Sequence, residues 1–324
     1  MAPRLSIIIP FYNVERYISE CLDSVFVQDI PLTEYEVICV NDGSPDQSRE
    51  IVLEYMERYP NLRLIEHERN KKLGAARNTG RSIARGNYIW NVDSDDKIVP
   101  GCLGEMLRIC EENNLDVLEF VPKQFGDDGL SDLPHPRPSK KVMSGLDYME
   151  RIPIHEISHM ATVWRKMIRR NFLDAHQIYS PEINMGEDVP YSFSVLLHAE
   201  RLLVSPECYY LYRQNPVSLT GAKWMPTAET LYEKCIRNPR MIHEVARIVP
   251  KSYPRVRKAY YEAAKYSFLR YREFLPDMSP EDRKLYRKLC RKSVFKDGFI
   301  HKLVSRKGYL SYILWAFGLA SSPK

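Results

Sequence analysis

The sequence predicts an α/β fold, a mostly parallel sheet flanked by helices, followed by a basic helical C-terminal region. Three observations lead there. Short, β-branched apolar runs alternate with stretches of helical periodicity over about the first 120 residues. Two of those runs stop abruptly in acidic turns, Asn41-Asp42-Gly43-Ser44 and Asp93-Ser94-Asp95-Asp96, and open parallel sheets gather ligands at such strand ends. From Glu229 to Gly308 there are 21 Lys and Arg against 9 Asp and Glu. That stretch carries +12 in a chain of net charge +5, so the remainder stands at −7 and the two regions suit different partners.

Taken in order, Leu5-Ser6-Ile7-Ile8-Ile9 is a buried strand closed by Pro10. Asn13 is placed to cap a helix over about residues 14–29, with Val14, Tyr17, Ile18, Cys21, Leu22 and Val25 at helical spacing. Tyr35 to Val40 is a second strand, ending in turn formers through Pro45. Asp46 starts a helix to about Tyr59, Leu62 to Ile65 is a third strand, and Lys72 to Ala84 a third helix closed by Gly86. Tyr88 to Val92 is a fourth buried strand, running straight into the acidic turn. A helix follows from Pro100 to about Asn113, then a strand from Val117 to Val121. Residues 122–140, rich in Pro, Asp, Gly and Ser, read as an exposed excursion. Asp147 to Arg170 reads as mainly helical, broken by Pro153 near Ile152. Gly186-Glu187-Asp188 precedes a helical run from Pro190 to Ala199; Tyr209 to Arg213 is a strand and Gln214 to Thr220 a loop. From about Thr227 the chain is helical, punctuated by several prolines.

Composition narrows the function classes. At 44% hydrophobic and 27% charged the chain is globular rather than disordered. Seven scattered cysteines with no Cys-x-x-Cys pair argue for reduced thiols in a cytoplasmic setting, not a zinc site or a disulfide frame. Leu5 to Pro10 is too short an apolar run for a secretion signal, and no window offers about 20 apolar residues for a membrane span. The absence of Gly-x-Gly-x-x-Gly and Walker patterns disfavours dinucleotide and P-loop enzymes.

Asp93, Asp95 and Asp96 repel one another at close range unless something positive sits among them. A hard divalent cation carrying phosphate oxygens resolves that conflict. The competing reading is a turn or helix cap, which Asp and Ser also favour.

At this point the chain resembles family 2 glycosyltransferases of the GT-A fold. The likeness covers about residues 4–220. It runs through Ser6-Ile7-Ile8-Ile9-Pro10-Phe11-Tyr12-Asn13, Val40-Asn41-Asp42-Gly43-Ser44, Ala76-Arg77-Asn78-Thr79-Gly80 and Asp93-Ser94-Asp95-Asp96. Trp164 to Arg170, matching a helix before the catalytic loop, then Gly186-Glu187-Asp188, Tyr212-Arg213 and Ser218-Leu219-Thr220 complete it. Each motif is weak alone; their order and spacing are specific.

The resemblance implies a GT-A domain over 1–226, with a nucleotide-binding half (1–121) and an acceptor half (122–226), ahead of a basic region over 227–324. It implies an inverting, metal-dependent, non-processive transferase moving one sugar from a nucleotide-sugar donor, UDP-linked by preference, to a glycan or lipid-linked saccharide. By that likeness Asp42 meets the base, and Pro10, Tyr12 and Glu15 line the nucleotide. Asp93 touches ribose or sugar, and Asp93 with Asp95 holds Mn²⁺ or Mg²⁺. Asp188 is the catalytic base, with Glu187 and Trp164 toward the acceptor. Tyr212 and Arg213 lie at the end of the cleft. Arg77 either approaches the diphosphate or forms a structural ion pair at the sheet edge. Each has a plainer alternative: Asp42 caps its own turn, Asp188 caps a helix before Pro190, and Trp164 is a core aromatic. Where relatives often carry glycine, this chain has Lys72, and the Gln-x-x-Arg-Trp signature of processive synthases is absent.

The tail offers one more expectation. Tyr309 to Ala320 is uncharged and follows Lys302, Arg306 and Lys307. As a helix it reaches about 18 Å, short of the roughly 30 Å bilayer core. A helix over 294–320 therefore either lies in the interface of the cytoplasmic membrane's inner face, making the enzyme peripheral, or docks on its own domain. A nucleic-acid-binding module built on the basic helices and a silent nucleotide-sugar binder are the competing functions. The first lacks any accompanying motif, so no nucleic acid partner is expected, and the second is at odds with the intact Asp42, Asp93, Asp95 and Asp188.

Overall fold

The computed structural model describes residues 2–126, 129–139, 141–183, 186–214 and 227–270, together with Pro280, Glu281 and Lys284. The chain divides into two compact units. One comprises Met1–Ile183 with Tyr191–Asn215, the other Asn184–Pro190 with Pro216–Lys324. The expected loop end at Ser218-Leu219-Thr220 and the helix over 294–320 lie outside the described residues.

The first unit is built on a nine-stranded sheet. Its strands are β1 (Leu5–Phe11), β2 (Tyr35–Asn41), β3 (Leu62–Glu66), β4 (Tyr88–Asn91), β5 (Lys97–Ile98), β6 (Val117–Gly126), β7 (Gly129–Asp132), β8 (Lys166–Arg169) and β9 (Leu202–Arg213). The order is β3-β2-β1-β4-β8-β6-β9-β5, with β7 pairing β6. Strands β1 to β4 pair in parallel, with Ile7 opposite both Val37 and Trp90. Every residue of β1, β2 and β4 is buried, the burial on both faces that makes such strands continuous apolar runs. Strand β8 then runs antiparallel between β4 and β6, and β6 and β9 pair in parallel. The α/β class expected from the alternation is what the chain adopts.

Helices α1 (Ile18–Phe26), α2 (Ser48–Arg58), α3 (Leu73–Ser82) and α4 (Leu103–Glu112) connect the first strands. Ile18, Cys21, Leu22 and Val25 of α1 are buried, the stripe its spacing predicts. Helix α3 lies so close to β1 that a Cβ on Gly80 would meet Ile8 Cγ2 at 2.5 Å. Further on come α5 (Gly145–Arg151), α6 (Ile154–Ile157), α7 (Arg170–Ala175) and α8 (Asp188–His198).

Several expectations are corrected. Asn13 does not cap α1. It takes a left-handed backbone (φ 57) that asparagine tolerates, and the helix starts at Ile18. The segment from Asp147 to Arg170 is helical through Ala161, with the break expected at Pro153 falling between Arg151 and Ile154, but it does not stay helical to Arg170. Lys166–Arg169 is a central strand between β4 and β6, and its charged side chains find partners inside the fold. Lys166, fully buried, donates to the Met160 and Thr162 carbonyls (2.6 and 2.7 Å) and lies 3.5 Å from Glu119. Arg169 donates to the Leu115 carbonyl. Residues 122–140 are not simply an excursion, since β6 runs to Gly126 and β7 pairs antiparallel with it. Strand β9 begins at Leu202, seven residues before Tyr209.

The described part of the second unit holds α9 (Ala228–Tyr232), α10 (Asn238–Ile248) and α11 (Pro254–Arg270). Thr227 caps α9, accepting from the Thr230 amide. Ile242, Ala246, Val256, Tyr260 and Ala264 are buried, so α10 and α11 share an apolar seam. Among the described residues no helix is long and apolar enough to cross a membrane.

Candidate active site

The carboxyl ends of β1, β2 and β4 lie side by side, and the loops leaving them carry the expected residues. The first two loops are zipped together. Asn13 and Val14 amides donate to Ser44 Oγ and Ser48 Oγ (3.1 and 3.0 Å), and the Glu15 amide donates to Asp46 Oδ2 (2.8 Å). In return the Gln47 amide donates to Glu15 Oε2 (3.0 Å). Glu15 therefore braces the loop that it was expected to line. Pro10 is buried in β1, paired with Val40, and Tyr12 stands 46% exposed beyond the strand end.

Asp42 is buried and does not cap its own turn. Asn41 does that, its Oδ1 accepting from the Ser44 amide. Asp42 reaches instead to the loop before α3, where Oδ1 accepts from the Lys71 amide and Oδ2 from the Lys72 amide, both at 2.8 Å. His67 Nδ1 lies 2.7 Å from Oδ1.

The acidic turn after β4 is clamped from below. Asp96, 1% exposed, accepts at Oδ2 from the Tyr210 hydroxyl (2.6 Å) and at Oδ1 from the Arg213 amide (2.7 Å). The same Tyr210 oxygen accepts from the Asp93 amide (3.1 Å), and Arg213 Nε donates to the Asp95 carbonyl (2.7 Å). Arg213 Nη2 and Lys97 Nζ both donate to Glu20 Oε2 at 3.0 Å. The Arg213 guanidinium lies over the rings of Phe125 and Tyr17. Burial pushes the Asp96 carboxyl well above the usual carboxylate range, and the charges of Asp95 and Asp93 add to that. Asp96 is thus the inward bolt of the turn. Asp93, its side chain 24% exposed, and half-buried Asp95 are the acids that retain access to solvent. Arg77, buried on α3, donates to Asp93 Oδ1 (2.9 Å), which is the ion-pair reading of that arginine.

Among the described residues no group of three or more His, Cys, Asp or Glu is arranged to hold a metal. Asp93 and Asp95 nevertheless offer hard oxygen donors beside a third, buried acid. That set suits a cation that takes few protein ligands and the rest from phosphate and water.

Trp164 is 5% exposed and stacks between Tyr210 (4.6 Å between centroids) and Tyr212 (5.6 Å), and its carbonyl accepts from Trp90 Nε1. The structure thus makes it a core aromatic behind the acidic turn. Asp188 is the first residue of α8, half-buried, and Glu187 before it is buried; both fall in Asn184–Pro190, the segment grouped with the second unit. Sequence reasoning missed Tyr210, Glu20 and His67. Tyr210 sits within a run of tyrosines that marks only a strand, and its partners lie more than a hundred residues away.

The family model for glycosyl transferase family 2 matches residues 6–178. The uncharacterized glycosyltransferase EpsJ of Bacillus subtilis is 36% identical over 236 residues, 72% of this chain and 68% of its own. The poly(ribitol-phosphate) beta-glucosyltransferase of Bacillus spizizenii is 32% identical over 212 residues, 64% of this chain but only 32% of its own length. In three dimensions the chain resembles residues 1–349 of Staphylococcus aureus TarS in complex with UDP-GlcNAc. The TM-score is 0.69 at 23% identity, covering 98% of this chain and 88% of that one. With the parallel β1–β4 core and its acidic rim already in place, these matches make the chain a glycosyltransferase of family 2, built on the GT-A fold.

Proposed function

We propose that the protein is an inverting, non-processive glycosyltransferase that moves one sugar from a UDP-sugar to a hydroxyl of a glycan or lipid-linked saccharide. The observation that carries this reading is the clamped turn after β4: Tyr210, Arg213 and Asp96 hold it rigid while Arg77 orients Asp93. Preorganised charge of that kind stabilises a transition state without reorganisation during the reaction. Asp42 accepts from the base, and Pro10, Tyr12 and Glu15 form the wall of the nucleotide site. Asp93 meets ribose or sugar. When held by Asp93 and Asp95, Mn²⁺ or Mg²⁺ supplies Lewis-acid stabilisation of the leaving nucleoside diphosphate. Asp188 takes the proton of the acceptor hydroxyl as its oxygen bonds to the anomeric carbon and the bond to phosphate breaks. Glu187 orients the acceptor, and Trp164 backs the acidic turn through its stacks on Tyr210 and Tyr212. The B. spizizenii relative named for poly(ribitol-phosphate) favours an acceptor on a bacterial surface polymer. A nucleotide-sugar donor places the reaction in the cytoplasm, with the C-terminal region at the inner membrane face.

Thermal-shift screening of UDP-, GDP- and dTDP-sugars with and without Mn²⁺ tests the donor. The UDP-sugar series should stabilise the protein most, and Asp95→Ala should lose the Mn²⁺-dependent part of the shift. Asp188→Asn should keep donor binding and lose transfer; retained turnover would remove Asp188 as the base.

A further inference from the structure

An ionised carboxylate accepts only, and it has about four lone-pair positions. In Asp42 the protein itself occupies three. Two belong to Oδ1, facing His67 Nδ1 and the Lys71 amide, and one to Oδ2, facing the Lys72 amide. One position on Oδ2 is left, on a side chain only 5% exposed. Amide N–H groups can only donate, so both oxygens act as acceptors here. The network therefore assigns the proton of a neutral His67 to Nδ1, and leaves Nε2 to accept from Thr79 Oγ1 at 2.9 Å. The result is a buried chain, Thr79 to His67 to Asp42, tying the end of β2 to helix α3.

We infer that His67 is a positioning residue for selection of the donor base. By filling Oδ1 and bracing Asp42 against α3, it turns the single remaining Oδ2 lone pair outward. That lone pair accepts the ring N3–H of an imide base such as uracil; cytosine offers an acceptor at the same ring position and can donate only through its amino group, off that axis, so the site prefers uracil. This rests on the reading that Asp42 meets the base. It adds the claim that the discrimination is set by the residue behind Asp42.

The test is the ratio of UDP to CDP affinity, measured by titration calorimetry on the full chain. His67→Leu, His67→Asn, Thr79→Val and Asp42→Asn are compared with the parent after each is confirmed folded by urea titration. His67→Leu should shrink the ratio at least about tenfold, the scale of one hydrogen bond to a charged group. His67→Asn, whose amide nitrogen can stand in for Nδ1–H, should restore most of it. Thr79→Val should shrink it in the same direction by less. A merely structural histidine would weaken both nucleotides together and leave the ratio alone. A folded His67→Leu with the parental ratio, beside an Asp42→Asn that alters it, overturns this inference and spares the base contact. An Asp42→Asn with the parental ratio removes the base contact itself. If His67→Leu does not fold, Thr79→Val decides, and an unchanged ratio there overturns the inference.

Discussion

Replacing Lys72 by glycine should make the protein more stable. Lys72 is the residue before α3, with φ 79 and ψ 159. That region of backbone space is essentially glycine's, and a side chain held there costs on the order of 1–3 kcal/mol. The cost is tolerated because the Lys71 and Lys72 amides must both point at Asp42, and the Lys72 amide also reaches Asn70 Oδ1. Glycine keeps both amide bonds and loses no burial, since Lys72 is exposed. Against the relief stands the greater freedom of glycine in the unfolded chain, about 0.4–1 kcal/mol. The net gain should be about 0.5–2 kcal/mol, or very roughly 1–8 °C in Tm for a domain of this size. Urea unfolding followed by tryptophan fluorescence reads it through buried Trp90 and Trp164. The midpoint should rise with an unchanged slope, because the surface exposed on unfolding is the same. A midpoint that stays put or falls would refute the strain argument.

Tyr210→Phe removes the donor to Asp96 Oδ2 and the acceptor for the Asp93 amide; it should cost about 1–3 kcal/mol and reduce transfer, read by urea titration and a donor-turnover assay. Gly74→Ala would place a Cβ 2.0 Å from the Pro181 carbonyl oxygen, which is backbone and cannot swing away; denaturant titration should show a loss of about 1–3 kcal/mol or above. Lys166→Met strands Glu119, whose carboxyl burial already raises while Lys166 and Arg165 oppose; the loss should be about 3–5 kcal/mol. Because a raised carboxyl costs most where it must ionise, the stability gap from the parent should narrow as pH falls from neutral toward the ordinary carboxylate range. Deleting residues 294–324 should abolish sedimentation with anionic liposomes if that stretch is the membrane contact; unchanged binding would exclude it.

How much was legible differs by element. Strands β1 to β4 were readable because a strand covered on both faces must be apolar along its whole length. The acidic turns were readable because turn formers announce where such a run ends. Strand β8 was not. Lys166 and Arg169 look solvent-facing in sequence, and only the pairing with β4 and β6 supplies Glu119 and the Leu115 carbonyl. In the turn at 93–96 the residues alone show three crowded acids, and only the family resemblance singles out Asp93 and Asp95 for the cation. The structure separates the three, because Asp96 faces Tyr210 and the Arg213 amide while Asp93 faces Arg77. For Arg77 the sequence offered two readings, and the structure shows its guanidinium paired with Asp93.

By itself the sequence determined the α/β class, the position of the first four strands and the acids at their ends. Apolar run length, periodicity and turn propensity act within a few residues, so a linear reading can capture them. Tertiary structure alone decided which acid turns inward, what fills Asp42 and where Lys166–Arg169 belongs. Those outcomes depend on hydrogen-bond partners as far as 114 and 117 residues along the chain, at Tyr210 and Arg213. A buried polar group must find its partner wherever packing brings one, and no local pattern records that encounter.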